Sequence, residues 1–210
     1  MTIFEDASSA YERGDYEAAI RLFLPMAVAG DERAVFNLAL AYAASQDNAE
    51  AAKWWKKAAE AGIAQAQAIL AGMYLSGKDI AQDYALAESW YRKAAEQGIA
   101  QAQSVLSCMY YEGRGIPQDF DEAAKWGIMA AEQGDPGGQL LLSAMYEFGM
   151  GVKPDNVQAH MWANLAAKGF PAADADNREE AIRSRDEVAT KMTAAQIIKA
   201  QDLAREWKPK

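Results

Sequence analysis

Apolar side chains recur along this chain at helical spacing, twice within each stretch of 36 residues. Ala66, Leu70, Met73 and Tyr74 fall at i, i+4, i+7 and i+8, and Ala102, Leu106, Met109 and Tyr110 repeat the set. That spacing places one apolar stripe along a helix. The stripe stops at Gly77, Gly113 or Gly149, where a residue free to adopt positive φ ends a helix. A second stripe follows at Ala87, Trp90, Tyr91, Ala94 and Ala95, again at i, i+3, i+4, i+7 and i+8. It starts at a recurring Asp, whose carboxylate accepts orphan N–H groups and complements the helix dipole. Asp47-x-x-Glu50, Asp119-x-x-Glu122 and Asp155-x-x-Gln158 resemble capping boxes with Asp in the cap position.

The two stripes form one repeating pair. Trp54, Trp90, Trp126 and Trp162 are 36 residues apart, as are Tyr74, Tyr110 and Tyr146. Asp15, Asp47, Asp83, Asp119 and Asp155 share the register, with Ala19, Ala51, Ala87, Ala123 and Ala159. Gly30, Gly62, Gly98 and Gly134 close four successive repeats. A helix pair this short cannot bury its apolar stripe alone, so the pairs must stack into an array. The predicted fold is all-α: a repeat array over 1–170, then capping helices over 171–210. The repeats are a degenerate one at about 1–30, where Leu22 replaces the Trp, then 31–62, 63–98, 99–134 and 135–169. Residues from about Ala173 to Lys191 and from Thr193 to Trp207 read as the two cap helices, with Thr193-x-x-Gln196 a capping box.

The segments Met73-Tyr74-Leu75-Ser76-Gly77 to Gly98, and Met109-Tyr110-Tyr111-Glu112-Gly113-Arg114-Gly115-Ile116-Pro117-Gln118-Asp119 to Gly134, resemble Sel1-like repeats, which are tetratricopeptide-like. The resemblance covers roughly 31–169, more weakly 1–30, and the 171–210 tail resembles the helical end-piece of bacterial members. It implies a right-handed αα superhelical solenoid and a scaffold or adaptor role. The chain departs from the family pattern in the missing first Trp and in a second repeat without the Gly-x-Gly loop. Its fourth repeat carries Pro136-Gly137-Gly138 where Ala is usual.

Composition narrows the function. Half of the side chains, 51%, are hydrophobic, which supports a packed core, and Gly and Pro look confined to helix ends. The net charge is −9 with no basic stripe, which disfavours nucleic acid. No apolar run approaches the roughly 20 residues of a membrane helix. The opening residues lack a signal-peptide pattern, so a cytoplasmic setting is expected. Cys108 shares its column with Leu40, Gly72 and Ala144 and is expected to be packed and inert. His160 is the only histidine, and without a second ligand it gives no metal site. No cofactor is expected, since Gly113-Arg114-Gly115 and Gly149-Met150-Gly151 follow helices and lack the rest of a phosphate loop.

Two features point to binding. First helices carry a further stripe that changes from repeat to repeat: Val35, Ala39, Ala43; Gln67, Ala71, Leu75; Gln103, Ser107, Tyr111; Gln139, Ser143, Glu147. In the tetratricopeptide-like folds that the chain resembles, first helices line the concave groove. The candidate contact residues for a protein or peptide segment are therefore Gln67, Gln103, Ser107, Tyr111, Gln139, Ser143 and Glu147. The recurring Gln also has a structural reading. The second feature is on second helices, where Lys56-Lys57 and Arg92-Lys93 give way to Ile128-Met129 and Asn164-Leu165. An apolar patch at Ile128, Met129 and Leu165 needs a cover: the cap, a partner or a second copy. The expected function is a non-enzymatic adaptor. The competing class is a hydrolase of the β-lactamase-like type linked to cysteine-rich family members, which would need the paired cysteines that this sequence lacks.

Overall fold

A computed structural model describes residues 2–210. The chain separates into two compact bodies, one ending at Gln97 and the other running from Gly98 to Lys210. The N-terminal body holds α1 (Ile3–Glu12), α2 (Tyr16–Val28), α3 (Glu32–Ala44), α4 (Asn48–Glu60), α5 (Ala64–Ser76) and α6 (Tyr84–Glu96). The C-terminal body holds α7 (Ala100–Glu112), α8 (Phe120–Glu132), α9 (Pro136–Phe148) and α10 (Asn156–Gly169), then α11 (Ala175–Ala189) and α12 (Ala194–Glu206). No strand occurs among the described residues.

The recurring Asp residues are the N-caps. Asp47 accepts from Glu50 N at 3.2 Å, and Asp119 from Asp121 N and Glu122 N, each at 3.0 Å. At these two positions only half of the expected capping box forms. Glu50 pairs instead with Lys53, and Glu122 accepts from Lys125 Nζ at 3.2 Å and Trp126 Nε1 at 3.0 Å. Full reciprocal boxes close at Thr2 with Glu5 and at Thr193 with Gln196. The Tyr column marks where the chain turns. The backbone carbonyls of Tyr74, Tyr110 and Tyr146 accept from Asp83 N at 3.0 Å, Asp119 N at 3.0 Å and Asp155 N at 2.9 Å. Each first helix is thus tied to the cap of its second helix.

Alanines at full burial let the helices approach, and large side chains fill the remaining space. In the N-terminal body Phe23, Leu38 and Leu70 form the centre with Trp54 and Trp55. The first repeat's missing Trp is made good one position along by Phe23, not by Leu22, and its ring meets Phe4 edge-on at 5.4 Å. Trp90 is only half-buried, contrary to the expectation from its column, with Lys93 Nζ 3.9 Å above its ring. Tyr91 beside it is the buried member. In the C-terminal body Trp126 and Trp162 are both buried.

Gly and Pro are not confined to helix ends. Pro25 lies within α2, and glycines stand where a neighbour leaves no room for a methyl group. A Cβ on Gly127 in α8 would meet Ser107 Oγ at 2.9 Å, and one on Gly138 in α9 would meet Ala130 Cβ at 2.6 Å. The unusual Pro136-Gly137-Gly138 is therefore a close helix crossing, with Pro at the first turn where its missing N–H is harmless.

Candidate interaction surfaces

Five of the seven candidate contact residues lie inside the structure. Gln67, Gln103, Ser107, Gln139 and Ser143 are 5%, 0%, 0%, 2% and 0% exposed. Each holds at least one hydrogen bond within its own body. Gln67 Nε2 donates to Ala59 O at 3.2 Å and its Oε1 accepts from Gln97 Nε2 at 2.8 Å. Gln139 Nε2 donates to Ala131 O at 3.3 Å, and Gln133 Nε2 donates to Gln103 Oε1 at 2.7 Å. Ser107 Oγ donates to Ala123 O at 2.6 Å and Ser143 Oγ to Ala159 O at 2.8 Å. These contacts staple first helices to second helices, so the five side chains are corrected here from groove contacts to internal ties. The amides of Gln97 and Gln133, which complete the ties, were not singled out from sequence; their recurrence 36 residues apart was the available signal.

Tyr111 and Glu147 remain nearer the surface, both half-buried. The Tyr111 ring meets Phe120 edge-on at 5.6 Å, and its carbonyl accepts from Gln118 Nε2 at 2.7 Å, which fixes the side chain's base. Glu147 is engaged by the cap, because Lys191 Nζ donates to its Oε1 at 2.6 Å.

The cap also meets the apolar patch. Leu165 is buried in a cluster with Trp162, Met161 and Ala204 of α12, against which Ile128, Leu203 and Trp207 pack. Trp207 lies edge-on to Trp162 at 6.0 Å, and Lys210 binds Glu132 through Nζ at 2.6 Å. Only Met129 of the three patch residues stays exposed, at 40%. A single exposed Met is ordinary for a surface, so the patch as a second interface is corrected to a cap-covered seam.

The reactive side chains are muted. Burial first, then the nearby Glu112 carboxylate, pushes the Cys108 thiol up to about 11, which keeps it protonated at neutral pH. Burial, and after it the Arg185 guanidinium, lowers the His160 imidazole below its ordinary 6.5, while Asp186 opposes the shift. His160 is 3% exposed and its Nδ1 has no hydrogen-bond partner. It lines a cavity of about 540 Å³ among α10, α11 and α12, with Lys168, Arg185, Asp186 and Arg205. No group of three or more metal-ligating side chains occurs among the described residues.

The Sel1 repeat pattern matches residues 33–63, 64–99, 100–135 and 136–169. The chain belongs to the Sel1 repeat family. Among solved structures it is similar to a Sel1 repeat protein from Oxalobacter formigenes, with 28% identity and a TM-score of 0.69 over 84% of this chain and 79% of that one. It is also similar to a protective antigen present in uropathogenic Escherichia coli strains and displaying an SLR fold. There the identity is 28% and the TM-score 0.56, over 98% of this chain and 52% of that one, so this chain spans about half its length. A Sel1 repeat protein from Klebsiella pneumoniae subsp. pneumoniae shares the fold at 21% identity and a TM-score of 0.50, over 89% of this chain and 91% of that one. No curated protein sequence matches the chain. The all-α repeat fold expected from the periodicity is thus that of Sel1 repeat proteins. No described helix is long and apolar enough to cross a membrane.

Proposed function

We propose that this chain is a non-enzymatic scaffold that holds a segment of a partner protein against its first helices, with Tyr111 as an anchor. Sel1 repeat proteins generally mediate protein–protein interaction, and the repeats that define the family fill most of the sequence. The observation that carries the finer reading is the state of Tyr111. It is the one aromatic member of the variable stripe, left half-buried after the Gln and Ser members have turned inward. Its edge-on contact with Phe120 orders the ring before any partner arrives, which lowers the entropy lost on binding. Buried aromatic anchors commonly dominate such interfaces.

The test compares Tyr111→Ala with Trp126→Ala. Tyr111→Ala should change stability by about 1 kcal/mol, yet weaken a partner recovered with the wild-type chain by about 2 kcal/mol, roughly thirtyfold. Trp126→Ala should lower melting and binding together. Retention of the same partners by Tyr111→Ala would remove Tyr111 from the interface. The hydrolase alternative gains no support: the one cysteine is a protonated thiol at neutral pH, with no second cysteine in the sequence.

A further inference from the structure

We infer that the cavity among α10, α11 and α12 is a binding site for a small oxyanion, a carboxylate or phosphate group carried on a compact and partly apolar molecule. This goes beyond the scaffold reading and does not rest on it, because none of the cavity residues belongs to the Tyr111 face.

Charge carries the inference first. The chain has 30 acidic against 21 basic side chains, yet the cavity wall presents Lys168, Arg185 and Arg205 against the single carboxylate of Asp186. Three cations against Asp186 in the wall and Asp202, which pairs with Arg205, leave one positive charge at this recess of an acidic protein. Two of the cations have local partners: Arg185 with Asp186 at 2.7 Å and Arg205 with Asp202 at 3.1 Å. Arg185 spends both Nε and Nη2 on Asp186 Oδ1, whereas the Arg205 pair is exposed and such pairs are weak. An oxyanion thus has the Arg205 fork and the remaining Arg185 N–H groups to bind. Lys168 has no ion-pair partner among the described residues.

The second observation is His160. It is almost wholly buried in the cavity wall, with an unpartnered Nδ1, on a helix whose other buried residues are apolar. A buried polar group without a partner costs stability. Trp162 Nε1 on the same helix is unpartnered too, and Nδ1 itself is closed to solvent, so His160 senses charge placed in the cavity through its ring and not through a bond at Nδ1. The remaining wall fits the same ligand class. Asn164 and Gln201 offer amide donors, while Ala189 and Ile197 give an apolar side for a short carbon stem. The volume of about 540 Å³ lies in the range of small-molecule sites.

The chain's single histidine makes the test direct, because its imidazole gives one unambiguous NMR signal. The full-length chain is titrated with inorganic phosphate, with butyrate and with the neutral isostere butyramide, and the His160 midpoint is followed across pH 5 to 8. An anion beside the ring offsets Arg185 and favours the imidazolium, so phosphate or butyrate should move the midpoint upward and butyramide should not. A response to phosphate alone identifies a phosphate group as what the site takes, and a stronger response to butyrate identifies a carboxylate. In Lys168→Gln with Arg185→Gln, the ligand-induced part of the shift should disappear while the far-ultraviolet spectrum and the melting curve stay as in the parent. The inference is overturned if neither anion moves the signal, if butyramide moves it as far as butyrate, or if the double variant responds as the parent does.

Discussion

Three residues carry consequences that can be read without reference to the repeat they sit in. Gly151 has φ +67°, and a Cβ there would lie 1.9 Å from Phe120 O. Gly30 has φ +94° with open space around it. Gly30→Ala therefore meets only the backbone preference, about 1 kcal/mol, whereas Gly151→Ala adds a clash with main chain and should cost about 2–4 kcal/mol. Thermal denaturation of the two variants decides it, and equal losses would mean that the Phe120 contact relaxes freely. At His160 the sign follows from the lowered imidazole. The folded protein binds fewer protons than the unfolded chain, so the neutral ring contributes stability above about 6.5, and that contribution is lost as pH falls through the lowered folded value. Urea unfolding should show stability falling on acidification below 6.5 with a slope of at most about 1.4 kcal/mol per pH unit from this group. His160→Gln should flatten that part of the curve.

Among elements, the tryptophans rank the helix contacts. Trp126 on α8 is 3% exposed, and Trp126→Ala should destabilise by about 3–5 kcal/mol through a residual cavity. Trp207 after α12 is half-buried, so Trp207→Ala should lose about 1–2 kcal/mol, in proportion to the area covered. Reversed losses would show that the cap's edge, and not α8, holds the core. The helix pairs, their Asp caps and the stop at Gly77, Gly113 and Gly149 were all legible as recurring columns, because each is fixed by the local geometry of a helix end. The Gln and Ser columns misled because the sequence shows periodicity and not partners. In a stacked array a first helix is covered on two sides, so a polar column there must be bonded to backbone. Gln67 and Ser107 vary or recur like surface residues while reaching Ala59 and Ala123 carbonyls eight and sixteen positions away. The cavity at His160 was equally hidden. It exists only where α10, α11 and α12 meet, and no one of these helices contains its wall.

At the scale of the molecule the decisive feature is how the C-terminal body ends. Deleting residues 171–210 uncovers Leu165, removes the Lys191 partner of Glu147 and strips Trp207 from Trp162. The truncated chain should associate or precipitate as concentration rises, through fresh apolar surface, which light scattering measures. A truncated chain that stays monomeric and melts as the parent does would mean that α11 and α12 cover nothing the fold needs. The cap meets the last repeat residue by residue: Ser184 Oγ lies 3.4 Å from Ser143 Oγ, Lys191 takes Glu147, and Ala204 joins the Leu165 cluster. That matching bears on how such a gene can lengthen. Tandem duplication adds copies freely wherever one repeat meets another like itself, but the α9–α10 pair is fitted to its terminator and has no vacant side for a newcomer. Because Lys210 also holds Glu132 of α8, extra copies are expected to enter upstream of α7, and residues 100–210 to pass through such events as one inherited block.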